Sequence, residues 1–275
     1  MKPLVETNWL SNNLDRVRIF DATWHLPNSK RNAEDEFKKG HIKGSLFFDI
    51  DKHSNKNSKL PHMMPDKEQW ENIISNFGVK KSDHIIIYDN SDLYSSCRLW
   101  FSFIYFGHNV NQVSVLNGGL KKWKIEKKEI TSEINYFDKT NYTSLENKEL
   151  ILNRKDIDNN IKEKKFDLID ARSKARFEGQ VPEPRPGLKT GSIPNSKNLP
   201  YGECINKNDN TFKDVEELKA IFKNLNLNDK IAFTCGSGMT ACVLGLANSL
   251  INGTNPIIYD ESWSGYGLIN NDNKK

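Results

Sequence analysis

Short apolar runs alternate along this chain with stretches in which apolar residues recur at helical spacing. The runs are rich in β-branched residues and end in polar ones, as in His84-Ile85-Ile86-Ile87-Tyr88-Asp89, which is typical of short buried strands. Buried strands that alternate with helices favour parallel pairing, with helices covering the sheet. The pattern predicts an α/β fold with a mainly parallel sheet. The predicted helices share a period near 3.6 and cover Lys67–Phe77, Ser96–Phe106, Asp214–Leu225 and Met239–Leu250.

The chain repeats itself once. Val17–Ala22, an apolar run closed by an aspartate, recurs about 150 residues later as Phe166–Ala171, and three further pairs of segments recur at similar offsets. A repeat of this length is a whole domain. We therefore predict two similar domains, 1–130 and 151–275, joined by a polar linker at 131–150.

The composition indicates a globular protein without a membrane partner. Of 275 residues 36% are hydrophobic and 28% charged, and the net charge is +4. Lysines are mixed with acidic residues along the chain, which favours a solvated surface over a nucleic-acid footprint. No apolar stretch reaches the length of a membrane span, and the opening residues have no signal-peptide pattern, so a cytoplasmic location is expected.

Four cysteines are present, none in a Cys-x-x-Cys pair or at zinc-ligand spacing, so we predict no metal site, no structural disulfide and no cofactor.

One cysteine stands in a distinctive position. The strand-like run Ile231–Thr234 stops at Cys235, which is followed by Gly236, Ser237 and Gly238 and then by a helix. Backbone N–H groups converge at such a helix start and stabilise an anionic sulfur. A lone cysteine in a turn is more often structural. Here the strand, the glycines and the helix together favour a nucleophilic thiolate, which we expect to be exposed at the mouth of a cleft.

The segment Cys235–Ala241 resembles the active-site loop of the 3-mercaptopyruvate sulfurtransferases, which belong to the tandem-domain rhodanese superfamily. Thiosulfate-preferring members place basic residues after the cysteine, whereas this loop is small and neutral. The resemblance implies that the catalytic site lies in the second domain and that Gly236, Gly238, Met239 and Thr240 contact the substrate. The first domain has Asp89 at the cysteine position and resembles the family's inactive copy.

The resemblance also implies the charged groups of the site. Two arginines nine positions apart, Arg176 and Arg185, match those that bind the substrate carboxylate and carbonyl, and a guanidinium fork suits a carboxylate. Arg172 reads instead as a surface arginine in a salt bridge. Asp51 and His62 match the residues that form a proton relay with Ser237 across a cleft.

The implied reaction moves a sulfane sulfur from 3-mercaptopyruvate through a Cys235 persulfide to a thiol or cyanide and releases pyruvate. The partners would be a small anionic sulfur donor and a thiol acceptor, such as a small thiol or a thioredoxin-like protein. The sequence departs from the family pattern at Ser192, Met239 and Glu261.

Three alternatives stay open. The first is a thiosulfate:cyanide sulfurtransferase of the same fold. The second is a non-catalytic tandem module that carries sulfur or binds a partner. The third, a phosphatase or arsenate reductase, would need Cys-x5-Arg, and the position six after Cys235 is Ala241.

Overall fold

A computed structural model describes residues 2–269 and shows two compact units. The first comprises the described residues up to Asn57, with Met64–Lys148 and Ile205–Lys213. The second comprises Ser58–Met63, Glu149–Cys204 and the described residues from Asp214 onward. Both are α/β, as the alternating pattern predicts.

The first unit is built on a five-stranded parallel sheet of order β1-β5-β4-β2-β3. Its strands are β1 (Leu4–Val5), β2 (Arg18–Asp21), β3 (Ser45–Phe47), β4 (Ile85–Tyr88) and β5 (Val113–Leu116). All residues of β4 and β5 are buried, as expected for central strands covered on both faces. The carboxyl ends of the strands therefore meet at one edge of the sheet, where ligand sites of parallel sheets form.

Six α-helices belong to the first unit: α1 (Thr7–Ser11), α2 (Ala33–Lys39), α3 (Ile50–His53), α4 (Lys67–Asn76), α5 (Ser96–Tyr105) and α6 (Gly119–Ile125). The helix α4 begins after Asp66, whose side chain accepts the N–H of Gln69. Every residue of α5 is buried, including Arg98 and the two serines among its apolar residues.

The second unit repeats this plan. Its parallel sheet has the order β6-β10-β9-β7-β8, with strands β6 (Ile151–Leu152), β7 (Asp167–Asp170), β8 (Lys197–Asn198), β9 (Ile231–Thr234) and β10 (Ile258–Tyr259). The two orders are the same: β6 takes the place of β1, β7 that of β2, and so on to β10 in the place of β5. The internal repeat seen in the sequence is thus a repeat of topology.

The helices of the second unit are α7 (Arg154–Glu163), α8 (Lys174–Phe177), α9 (Val215–Lys223), α10 (Ala241–Asn252) and α11 (Ser262–Tyr266). Reciprocal side-chain caps start α7 at Asn153 and α9 at Asp214. The predicted helix from Met239 begins two residues later, because Met239 and Thr240 belong to the turn that precedes it. No helix among residues 2–269 combines the length and the apolar character needed to cross a bilayer.

The segment predicted as a linker contains no helix before Lys148 and packs on the first unit. The N–H of Thr140 donates to the carbonyl of Ser75 at 3.0 Å, and that of Leu145 donates to Phe106 at 3.2 Å. Tyr142, near the middle of this polar stretch, is buried and so holds the stretch against the first unit. The exact division of the chain into 1–130, 131–150 and 151–275 stays a prediction.

Candidate active site

Cys235 lies at the carboxyl end of β9 and begins the turn that leads into α10. Gly238 has a φ of +75°, a left-handed conformation that glycine adopts without steric cost, so the turn can close tightly. The helix that follows runs for twelve residues and directs its N-terminal backbone N–H groups toward the turn. The structure therefore places Cys235 where the sequence predicts it, in the turn between the end of a strand and the start of a helix.

Ser262 holds this turn through hydrogen bonds of its side chain. Its hydroxyl accepts the N–H groups of Cys235 and Gly238, both at 3.1 Å, and donates to the carbonyl of Tyr259 at 2.8 Å. Ser262 is fully buried and has a φ of +49°, an unusual conformation for a residue other than glycine. Sequence reasoning missed this residue, because nothing nearby distinguishes its hydroxyl from that of Ser264.

The expectation of an exposed thiol is wrong. Cys235 is 1% exposed, and Ser237, Met239 and Thr240 are buried as well. The reason within the second unit is that α11 folds back on the turn. The N–H of Trp263 donates to the carbonyl of Cys235 at 2.9 Å, and that of Ser264 donates to Gly236 at 2.8 Å. The sulfur is therefore shielded from bulk water.

Ser237 is the meeting point of two predicted site residues. Its hydroxyl lies 2.9 Å from Nδ1 of His62, and Nη1 of Arg185 donates to it at 3.4 Å. His62 is buried and has a φ of +60°. Although we expected His62 on the first domain, its segment Ser58–Met63 packs with the second unit. An imidazole in contact with a hydroxyl is a suitable pair for proton transfer.

Arg176 lies on the other side of the turn. A Cβ built on Gly236 would come within 3.0 Å of its Nη2, so the glycine allows the guanidinium to approach the backbone. Nη2 also donates to the carboxylate of Glu183 at 2.5 Å. The two arginines therefore lie beside neighbouring residues of one turn, while their binding of the substrate stays a prediction.

Asp51 lies in the first unit, in α3. Its Oδ2 accepts the indole N–H of Trp24 at 2.7 Å. Its place in a relay with His62 stays a prediction. The carbonyls of Met239 and Thr240 accept N–H groups from the first turn of α10, which fixes both residues, while their contact with substrate likewise stays a prediction.

The sequence suggested that Arg172 is a surface residue, but its side chain is buried. It does form salt bridges, to Asp170 at 2.7 Å and to Glu183 at 2.8 Å, but its side chain is 0% exposed. Burial alone would lower the pKa of Arg172; hydrogen bonds and the charges of both carboxylates raise it above its ordinary value. The guanidinium also lies 4.5 Å from the ring of Trp263, so it packs under α11.

The equivalent strand end in the first unit carries Asp89 in place of a thiol. Its carboxylate accepts the N–H of Ser91 at 2.9 Å and that of Ser96, the first residue of α5, at 2.8 Å. Burial raises the pKa of Asp89, and these donors oppose that effect. The first unit thus holds a carboxyl group where the second holds the thiol of Cys235. The residues from 2 to 269 contain no cluster suited to a metal ion. An inactive first copy stays a prediction.

Comparison with known proteins identifies the class. The family profile described as a rhodanese-like domain matches residues 6–126 and again 153–268. The chain belongs to the rhodanese family, with two copies of its domain.

Among curated relatives, the mouse 3-mercaptopyruvate sulfurtransferase is 36% identical over 95% of this chain and 91% of its own length. The mouse thiosulfate sulfurtransferase is 34% identical over 96% and 91%. Among solved structures, SseA from Escherichia coli, described as a 3-mercaptopyruvate sulfotransferase with the rhodanese fold, superposes with a TM-score of 0.86 at 33% identity, over 96% of this chain and 99% of SseA. These relatives confirm the predictions of fold, family and sulfur transfer.

Proposed function

We propose that this chain is a 3-mercaptopyruvate sulfurtransferase in which Cys235 carries the sulfur. The observation that carries the proposal is the set of groups around one turn: the thiol at the start of α10, Ser237 in contact with His62 and Arg185, and Arg176 beside Gly236. Full-length similarity to the mouse and Escherichia coli 3-mercaptopyruvate sulfurtransferases supports the choice of donor.

In the first half-reaction the Cys235 thiolate attacks the sulfur of 3-mercaptopyruvate. The S–S bond of the persulfide forms as the C–S bond of the donor breaks, and the electron pair of that bond leaves with pyruvate as its enolate. A proton delivered to the enolate carbon completes pyruvate. His62 and Ser237, 2.9 Å apart, are the groups we assign to this proton transfer, with Asp51 as the outer member of the relay.

In the second half-reaction a thiol or cyanide attacks the outer sulfur and restores the Cys235 thiolate. Because the sulfur waits on the enzyme between two substrates, ping-pong kinetics are expected. We propose a small thiol or a thioredoxin-like protein as the acceptor. A cytoplasmic place of action stays a prediction from sequence, to be checked by cell fractionation.

Thiosulfate is the second candidate donor, because a thiosulfate sulfurtransferase is nearly as similar to this chain as the 3-mercaptopyruvate enzyme. The turn after Cys235 offers Gly236 and Ser237 where a dianionic donor would be served by basic side chains. We therefore expect a higher kcat/KM for mercaptopyruvate. Rates on the two donors, measured with the same acceptor, decide between them.

The direct test is mass spectrometry of the intact protein and of its Cys235 peptide after exposure to 3-mercaptopyruvate. We expect one added sulfur on Cys235 and release of pyruvate. Cys235→Ser should lose both, whereas Cys204→Ala, which changes another buried cysteine, should retain both. Substantial turnover by Cys235→Ser would refute the assignment.

A further inference from the structure

A row of buried charges leads from the sheet of the second unit to the candidate active site. It begins at Asp170, the last residue of β7, whose carboxylate accepts Nε and Nη2 of Arg172 at 2.7–3.1 Å. The Nη1 of Arg172 donates to Oε1 of Glu183 at 2.8 Å. The side chains of all three residues are at most 2% exposed. Buried charges of alternating sign stabilise one another only in a fixed geometry, so the position of the Glu183 carboxylate is fixed.

The row ends at Arg176, which Glu183 holds by one edge. Nη2 of Arg176 donates to Oε2 at 2.5 Å, and Nε approaches Oε1 at 3.3 Å. This paired contact occupies the Nε–Nη2 edge of the guanidinium, the edge that would otherwise clamp a carboxylate with two parallel bonds. Nη2 lies beside Gly236, and the Arg176 side chain is 25% exposed. Nη1 is the terminal nitrogen that the Glu183 contact leaves unused.

The chain around Glu183 supports the same role. Pro182 and Pro184 flank Glu183, and both are exposed. The two prolines restrict the backbone at this point. The Glu183 side chain points inward between them. Arg185 follows two residues later. The loop is then held by the C-terminal segment, since the N–H of Ile269 donates to the carbonyl of Gly187 at 3.1 Å. Fixing Glu183 therefore also limits where Arg185 can lie.

We propose that Glu183 is a positioning residue that divides the work of the two arginines, an inference that rests on the proposed function. Its carboxylate, fixed by Arg172, turns Arg176 toward the Cys235 turn and cancels its charge. The substrate carboxylate is then received by Arg185, and the carbonyl by Nη1 of Arg176. Because Glu183 cancels the charge of Arg176, the site presents one positive charge fewer to the donor, which suits a monoanion such as 3-mercaptopyruvate better than the dianion thiosulfate.

The test compares Glu183→Gln with Glu178→Gln. Both remove one negative charge from the same segment, but Glu178 is a surface residue paired with Lys174 at 3.7 Å. In Glu183→Gln we expect kcat/KM for mercaptopyruvate to fall about tenfold or more, because a charge-assisted contact to Arg176 is lost. The kcat/KM for thiosulfate should fall less, or rise, so the donor ratio shifts about tenfold toward thiosulfate. Glu178→Gln should keep the wild-type ratio. An unchanged ratio in Glu183→Gln would overturn the inference.

A second measurement separates positioning from general stability. If Glu183 acts through Arg176, Glu183→Gln should add little to the loss already caused by Arg176→Ala, whereas equal fold-losses in both backgrounds would show independent action and overturn the inference. Should Glu183→Gln fold too poorly to assay, Arg176→Lys breaks the same paired contact from the other side. It should also shift the donor ratio, and an unshifted ratio would count against the inference.

The persulfide measurement on wild-type protein keeps the two proposals distinguishable. Absence of added sulfur on Cys235 would refute the proposed function itself. A persulfide that forms normally, together with an unaltered donor ratio in Glu183→Gln, would refute only the role of Glu183.

Discussion

Removing the hydroxyl of Ser262 should disable the Cys235 turn without removing any group that touches substrate. In Ser262→Ala the N–H groups of Cys235 and Gly238 lose the acceptor that each now has at 3.1 Å. The carbonyl of Tyr259 loses a donor at 2.8 Å. These groups are buried, so the first cost is that of the hydrogen bonds that they lose.

The size of the effect follows from the contacts. A buried donor that loses its acceptor costs about 1–3 kcal/mol, so the loss of both contacts costs up to about 2–6 kcal/mol if the turn keeps its shape. A turn that instead relaxes recovers part of this energy by moving the sulfur away from the end of α10. Either way the reactive geometry is lost, and a penalty of about 2 kcal/mol in the transition state corresponds to roughly a thirtyfold lower rate. We expect kcat/KM for mercaptopyruvate to fall about tenfold to a hundredfold.

Two readouts test this reasoning. The rate of alkylation of Cys235 by iodoacetamide reports the reactivity of the thiol and access to its buried sulfur, and it needs no sulfur donor. Steady-state kinetics report turnover. Ser264→Ala is the matched control, since that hydroxyl also lies in α11 but donates only to the carbonyl of Glu261 at 2.7 Å. Its alkylation rate and turnover should stay within about twofold of wild type.

Ser262→Gly sharpens the comparison. Glycine adopts the +49° φ of this position freely, so this variant removes the hydroxyl and relieves the backbone conformation at the same time. It should be more stable than Ser262→Ala and equally slow. Wild-type alkylation and turnover in both Ser262 variants would refute the claim that this hydroxyl organises the turn.

Three further predictions concern other contacts. Gly236→Ala should lower kcat/KM about tenfold with little loss of stability, because the new methyl group meets Nη2 of Arg176 at 3.0 Å and pushes the flexible end of that side chain out of place; kinetics and thermal melts check both parts. Arg172→Met should destabilise the protein by about 3–5 kcal/mol in urea unfolding, because the buried carboxylate of Asp170 loses its ion pair and that of Glu183 keeps only Arg176. Asp21→Asn should flatten the pH dependence of the unfolding free energy. Burial raises the pKa of Asp21 from 3.8 to about 7, so its contribution is present in acid and lost as the pH rises toward 7. The loss amounts to roughly 4 kcal/mol in all, of which about 3 kcal/mol falls between pH 5 and pH 8, where unfolding measurements would detect it.

Much of the fold follows from local pattern. The apolar runs and helical periods locate the central strands and the longer helices to within about two residues, because burial on a sheet face and along a helix stripe is recorded in the spacing of apolar side chains. The repeat gives a second observation of each strand and helix pattern, so the assignment in one copy supports the assignment in the other. The position of Cys235 is likewise local, as it depends only on a strand, two glycines and a helix start.

The rest of the site depends on contacts between distant segments, which spacing does not record. His62 meets Ser237 across 175 positions of sequence, and only the resemblance to a family pairs them. Arg172 looks like a surface arginine until Glu183, eleven residues later, is seen to turn inward between two prolines. The burial of Cys235 depends on the way α11 returns to the turn, and no local pattern around the cysteine reports it.

The two copies of the domain carry different groups at the end of the matching strand, the carboxyl group of Asp89 in the first and the thiol of Cys235 in the second. In the first copy the carboxyl group of Asp89 accepts the N–H of Ser96 at the start of α5, so that helix end always has a side-chain partner. In the second copy the side chain at the matching place is the thiol of Cys235, which the proposed reaction would convert to a persulfide and back. Heat resistance of the second copy should therefore differ between sulfur-loaded and unloaded protein, whereas that of the first copy should not.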